Sequence, residues 1–497
     1  MTKQQALELI FEKIEVSKAI NSAAAIIHWD AATLGVPEKS LEARGATSGW
    51  LDGESFRRFI SPDTFEAIET LEAVSGELDV NEKAMIRELG RSYRKLKAVP
   101  PEEFQEFSNL TSKAQVVWEK AREKRDYEMI LPYYEKVFEY NRKLCDWYGY
   151  ENHPYDALLD DYEKGATVEM LDKFFAALRE KIVPLLKEIT SRSNQPKEIT
   201  GNFGVAKQRE LMPWLADITG YDRSRGKVGE VEHPFCTTIN RNDVRITTKY
   251  HDDSLLSAVY SIIHECGHGV YEQNMSEDLE KYALADCASM GMHESQSRLY
   301  ENMIGRSKAF AERLLPKLRD KFDYFSDWNE DMLYRAINIA RPSLIRIEAD
   351  ELTYSLHIMV RYEIEKSVLT GEMKVADLPG IWSDKYDEII GLRPENLAEG
   401  VLQDVHWSMG AVGYFPSYAV GTAYGAQMMN TIKKTIDVDA AVRKEDLSPV
   451  TGWLDKNIHK VGNLLLPDDL LKQATGESLN PTYYADYLSE KFTELYL

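Results

Sequence analysis

The sequence predicts a mainly α-helical protein with one small antiparallel β-sheet, on three observations. Long stretches place an apolar or aromatic residue every three to four positions between charged ones, the period of an amphipathic helix. A single segment instead alternates β-branched residues on either side of a polar turn. Finally, no run approaches the ~20 apolar residues of a membrane span; AAAII at 23–27 is about the longest uncharged cluster.

Taken in order, MTKQQALELIFEKIEVSKAI interleaves charge with apolar residues and lacks the basic start and apolar core of a signal peptide, so it reads as a first helix. Helical patterning continues to about residue 195, and Trp118, Tyr133, Phe138 and Trp147 fit between packed helices. SRSNQPKEITGNFG and GYDRSRGKVGEVEHPF, rich in Gly and small polar residues, read as loops. In HPFCTTINRNDVRITTKY, residues Thr237, Ile239, Val244, Ile246 and Thr248 flank Asn240-Arg241-Asn242-Asp243, which predicts a β-hairpin. Asp252-Asp253-Ser254 offers helix N-caps, after which helices run to the C-terminus with breaks near Gly371, Pro394 and GYFPSY. The length allows several average domains or one large helical body; with no internal repeat, the expectation is a single bilobed domain over 1–497, a mainly helical part at 1–200 and a motif-bearing part at 201–497.

Against 60 Lys+Arg stand 82 Asp+Glu, a net charge of -22 that would repel a phosphate backbone over most of the surface. Neither nucleic acid nor a membrane is an expected partner. Cys145, Cys236, Cys266 and Cys287 are far apart with no CxxC pair, which predicts reduced thiols and a cytoplasmic location.

The chemistry concentrates in SIIHECGHGVYEQ, residues 261–273. On a helical wheel at ~100° per residue, Leu255, Leu256, Val259, Ile262, Ile263 and Val270 share one apolar arc, while His264 and His268 lie one turn apart on the opposite face. Two imidazoles at i and i+4 can ligate one metal ion, leaving room for a third protein ligand and a water. Between them Glu265 is placed to take a proton from the attacking water and deliver it to the leaving amine, so HExxH predicts peptide hydrolysis by metal-activated water. Gly267 and Gly269 cost helix propensity and would let another segment approach. The third ligand should come from a later helix. The sixth residue after His268 is Asn274, so a third histidine at that spacing is excluded; MHESQSRLYEN at 292–302 offers both His293 and Glu294, and spacing alone leaves the two open.

HPF at 233–235, DVRIT at 243–247, HECGH at 264–268, HESQ at 293–296, IRIEAD at 345–350 and GVLQDVHW at 400–407 together resemble, in order, the motif set of the Taq-type zinc carboxypeptidases. HWDAATLGVP at 28–37 also looks like that family's N-terminal signature, with Ala31 where glutamine is common. The resemblance implies a neurolysin-like helical body with a long substrate groove, a homodimer, and removal of single residues from peptides with a free C-terminus. It implies His264, His268 and Glu294 as metal ligands, Glu265 as general base, and His293 as a neighbour that supports them. Zinc is the expected ion, with cobalt a working substitute in similar enzymes.

A carboxypeptidase must grip a terminal carboxylate, which asks for a fixed cationic fork. Arg346 is the first candidate, against the alternative of a surface i,i+4 ion pair with Asp350; Arg245 is the second, placed to position either substrate or a neighbouring carboxylate. An extended substrate could also pair with the hairpin edge. QDVHWSMGAVGYFPSY concentrates Gln403, His406, Tyr414 and Tyr418, able to donate to the oxyanion formed on water attack; neurolysin-like enzymes use a histidine and a tyrosine from a comparable region, which assigns His406 and Tyr418. Trp407 fits the core, and His233 fits either the substrate pocket or the framework. The competing readings are an endo-acting oligopeptidase of the same fold and a non-catalytic helical peptide-binding protein.

Overall fold

A computed structural model describes the whole chain, Met1–Leu497. Helices dominate from end to end, and strands occur only at Val228–Glu230 (β1), Cys236–Asn240 (β2) and Asp243–Thr248 (β3). No helix is long and apolar enough to cross a membrane.

The first helix, α1 (Lys3–Leu34), starts from a capping box in which Thr2 and Gln5 satisfy each other's backbone N–H groups. With the helices Pro62–Ala73 and Val80–Ala98, Leu78 and the segment that carries Leu279, Tyr282 and Leu284, it forms a satellite core of 15 buried residues. The main core, 100 buried residues from Ala114 to Tyr496, mixes side chains from both sides of position 200. Phe138 lies fully inside it and Trp118 packs against it, as the helical reading of that region expects.

The hairpin forms where expected, with Asn240 opposite Asp243 and Arg241-Asn242 as the turn. The sheet, however, is three-stranded and mixed: β3 is central, antiparallel to β2 and parallel to β1. Strand β1 was invisible because its three residues, Val228-Gly229-Glu230, carry no alternating apolar pattern. Backbone pairing to β3 holds it, and Gly229 is required by its neighbour, since a Cβ there would sit 2.9 Å from the Trp29 ring of α1.

Five further helices position the site: α2 (Pro154–Tyr162), α3 (Leu255–Asn274), α4 (Met290–Arg298), α5 (Tyr354–Thr370) and α6 (Pro416–Lys433). Helix α3 leaves β3 after a short turn and is buried on almost every side, including at Glu265, Cys266, Gly267 and His268. Its polar face therefore looks into a second interior layer and not into solvent. Gly267 admits that layer, since a Cβ there would sit 2.7 Å from Ser297 Cα, while Gly269 admits the Tyr221 ring, 2.7 Å from its would-be Cβ, on the side facing β3.

Candidate metal centre and substrate site

Helix α4 crosses α3 at Gly267 and brings Glu294 opposite the two histidines. Ser289 caps α4 by accepting from Met292 N–H, so the helix begins just before the ligand-bearing turn. The Nε2 atoms of His264 and His268 lie 3.7 and 3.6 Å from Glu294 Oε2, and the three potential ligand atoms all fall within 4.8 Å of one another. These separations exceed hydrogen bonds and approach the ~3.3 Å expected between ligands that share one tetrahedral ion at 2.0–2.1 Å. Between the two candidates that spacing left open, the cluster takes Glu294. His293 stacks on His268 with ring centroids 4.1 Å apart and turns its Nε2 to Glu272 Oε1 at 3.1 Å.

One buried oxygen beside the ligand cluster lacks a partner where an attacking water would supply one, and His268 lacks a partner on Nδ1, the ring nitrogen turned away from the cluster. Glu265 is 6 % exposed and its Oε2 has no hydrogen-bond partner, nor has His268 Nδ1. Such orphans are rare in folded proteins and call for an explanation. Burial raises Glu265 to about 7, against a lowering by the nearby His264 charge. Burial also drives His268 well below its usual value, which keeps the lone pair a metal needs.

Glu301 is a site residue the sequence reading missed. Its Oε2 lies 2.8 Å from His264 Nδ1 and accepts from Arg298 Nη1 at 3.1 Å. Burial would raise Glu301, but Arg298, His264 and Arg306 together hold it well below the usual carboxylate range. An ionised carboxylate on Nδ1–H leaves Nε2 of His264 free to ligate. A signal existed: Glu294, Arg298 and Glu301 are spaced i, i+4, i+7 and share one helix face. What the spacing could not show is that the helix widens to a π-turn over Leu299–Ile304, a geometry frequent at functional sites. Replacing Glu301 with alanine should weaken zinc binding by ~10- to 100-fold, read by competition with a chelating dye. An unchanged affinity would remove Glu301 from the site.

The second half of the site is a charge cluster around Asp404. Arg346 is not on a helix surface and does not pair with Asp350, which instead accepts from the backbone N–H groups of Arg341 and Thr353. It opens a short 3₁₀ turn and is buried, donating through Nε and Nη2 to Asp404 Oδ1 at 3.0 and 2.8 Å and through Nη1 to Tyr354 Oη at 3.1 Å. Arg361 of α5, fully buried, donates to the other oxygen, Asp404 Oδ2, at 2.7 Å. Burial opposes the ionisation of Asp404, yet the two guanidiniums hold it far below its usual value. His406 follows Asp404 by two residues; burial is the main reason it falls to about 4, so its ring is neutral near pH 7. Its ring centroid lies 5.5 Å from that of Tyr414 and 6.4 Å from that of Tyr418, and the guanidinium of Arg346 lies 5.2 Å from the Tyr418 ring. Arg298, bonded to Glu294 at 2.6 Å, stacks on Tyr354, which links the two halves.

Three expected substrate residues are placed differently. Gln403 spends its whole amide inside the protein: Oε1 accepts from Arg346 N–H and Arg361 Nη2, and Nε2 donates to the carbonyls of Leu344 and Glu399. Nothing remains for a substrate, so Gln403 is a brace for the two arginines. Arg245 pairs with Asp243 on its own strand at 2.8 and 2.6 Å and lies over Trp29, the neighbouring-carboxylate outcome. His233 sits in an exposed bend before β2 with no hydrogen bond to the cluster. Trp407 is core, its indole N–H donating to Glu365 at 2.6 Å.

Comparison with known proteins agrees with this geometry. Residues 10–492 match the family model described as carboxypeptidase Taq (M32) metallopeptidase. Carboxypeptidase 1 of Bacillus subtilis is 42 % identical over 491 residues, 98 % of each chain. Among solved structures, Pyrococcus furiosus carboxypeptidase superposes with a TM-score of 0.94 at 34 % identity, covering 98 % of this chain and 99 % of that one. Metallocarboxypeptidase 1 of Trypanosoma cruzi gives 0.93 at 34 % identity with the same coverage.

Proposed function

The chain belongs to the carboxypeptidase Taq (M32) metallopeptidase family and is a metal-dependent carboxypeptidase; from that premise we propose which of its residues carry the reaction. His264, His268 and Glu294 hold the divalent ion, most simply zinc given two imidazoles and one carboxylate, with cobalt as a substitute. When bound there, the ion supplies Lewis acidity to the scissile carbonyl and acidifies a water.

The protein's own residues do the rest. Glu265 accepts the proton of the attacking water and passes it to the departing amine; the single observation that carries this is its buried carboxylate oxygen, free of any partner beside the ligand cluster. Arg346 receives the terminal carboxylate. Tyr418, with the Arg346 guanidinium 5.2 Å from its ring and Tyr414 beside it, and His406, which packs on Tyr414, can donate to the oxyanion; His406 does so as a neutral imidazole. The proposal extends to a single bilobed body working as a homodimer in a reducing, cytoplasmic setting, which suits four unpaired cysteines.

Mass spectrometry of a digested peptide tests the reading. A ladder of products, each one C-terminal residue shorter, should appear with the metal-loaded protein, vanish after chelation and return with zinc. Internal fragments that keep the original C-terminus would instead establish an endo-acting enzyme.

A further inference from the structure

Two buried glutamates take no part in the reaction above, and both are tied to α2. Glu163, which follows the last residue of α2, is 3 % exposed and is bonded to no cation. Its Oε1 accepts from Ser289 Oγ at 2.9 Å and Tyr424 Oη at 2.8 Å, and its Oε2 accepts from Gly291 N–H at 3.0 Å. Every one of those donors lies on the elements that present Glu294. Ser289 and Gly291 begin α4, while Tyr424 belongs to α6, which crosses α4 so closely that a Cβ on Gly421 would sit 2.8 Å from Glu294 Cβ. The Ser289 hydroxyl that donates to Glu163 is also the cap that accepts from Met292 N–H, so the two bonds act in series on one turn of α4.

The other end of α2 has the mirror arrangement. Tyr155, in its first turn, donates to Glu365 of α5. Glu365 is fully buried and also accepts from Trp407 Nε1 at 2.6 Å and Gly413 N–H at 2.9 Å, the residue just after His406 and the residue just before Tyr414. Gly413 has φ +98 and lies against the Leu158 backbone of α2, where a Cβ would be 3.1 Å from the carbonyl. Tyr162 of α2 meets Tyr414 edge-on at 5.1 Å. Burying a carboxylate with no cation bonded to it is costly, and apart from Tyr155 of α2 itself every donor to these two lies on a site-bearing segment.

We propose that α2 is a strut that sets the placement of the Glu294 helix relative to the His406–Tyr414 loop, with Glu163 as positioning residue for the metal ligand and the Tyr155–Glu365 pair as positioning residues for the loop. A nine-residue helix suits this task because it is rigid, is N-capped by His153, and has its core-facing Tyr155, Ala157, Leu158 and Leu159 locked by burial. The sequence motifs could not reveal it, because α2 contributes no side chain to the chemistry.

The inference rests on Glu294 as a ligand, and the test separates the two. Zinc affinity by chelator competition, kcat and KM on a free-carboxylate peptide, and melting temperature are measured for the parent and for Glu294→Ala, Glu163→Gln, Tyr424→Phe, Glu365→Gln and Tyr155→Phe. Glu163→Gln and Tyr424→Phe should weaken zinc binding about tenfold or more. Glu365→Gln and Tyr155→Phe should keep the parental zinc affinity and lower kcat about tenfold or more with little change in KM. If Glu163→Gln or Glu365→Gln fails to fold, the milder tyrosine variant at that end decides. The strut is refuted if the variants at either end shift only the melting temperature, or if both ends move the same parameter. Parental zinc affinity in Glu294→Ala would sink the ligand assignment instead, whatever the other variants do.

Discussion

Glutamine at position 265 should abolish nearly all turnover while leaving zinc bound: kcat is expected to fall by ~10³- to 10⁴-fold, near the upper end of what a positioned acid–base group contributes. The substitution is close to isosteric, so the crossing of α3 and α4 at Gly267 is undisturbed. It removes only the ability to accept a proton. The carboxylate has no hydrogen bond to lose, since its Oε2 is unpartnered and burial already penalises its charge. Stability should therefore hold or rise, and zinc content by elemental analysis should match the parent. If Glu265→Gln keeps parental kcat with zinc in place, the proton is carried by another group and the mechanism fails. Loss of zinc in the variant would be a different refutation, placing Glu265 among the ligands.

How far the sequence reaches can be judged residue by residue. The HECGH helix was legible in full, because a 3.6-residue period separates an apolar arc from a histidine face, and its glycines announce close packing. That the histidine face would itself be interior was not legible: periodicity reports where apolar residues lie and says nothing of polar residues buried against other polar residues. Glu301 and Arg361 show the same limit. Glu301 shares a face with Glu294, yet only the π-turn and α3 together place it on His264 Nδ1. Arg361 stands inside the apolar run SLHIMVRYEI, where a lone cation asks for a buried partner, but the partner, Asp404, is 43 residues away. Arg346 was identified by motif; the alternative weighed against it, a helix-surface pair with Asp350, fails because the chain makes only a 3₁₀ turn there and Asp350 bonds to backbone N–H groups. Strand β1 fell outside the pattern altogether, being held by backbone pairing and a glycine fitted to Trp29.

The cluster around Asp404 also decides what Arg346 can do. Two guanidiniums, Arg346 and Arg361, share the one carboxylate of Asp404, and His406 is neutral, so Arg346 has no carboxylate to itself. Incompletely compensated buried charge is unfavourable, and an incoming anion would complete the set. Of the five N–H donors on a guanidinium, Arg346 uses three in the protein, leaving one on each Nη for a bidentate grip on a carboxylate. The parent should consequently cleave a peptide with a free C-terminus far faster than its C-terminally amidated twin. Arg346→Ala should lower kcat/KM on the free peptide by ~10²- to 10³-fold, toward the lower end of the loss of two charge-assisted hydrogen bonds at ~1.5–3 kcal/mol each. On the amidated peptide the same variant should change the rate by less than ~3-fold, because the interaction it removes was never made. Arg346→Lys, which restores charge without the fork, should fall between the two. The amidated substrate is the control that separates anchoring from mere disturbance of the Asp404 cluster: a structural defect would slow both peptides alike, and equal slowing, or full-rate cleavage of the amide by the parent, would show that Arg346 does not hold the terminal carboxylate.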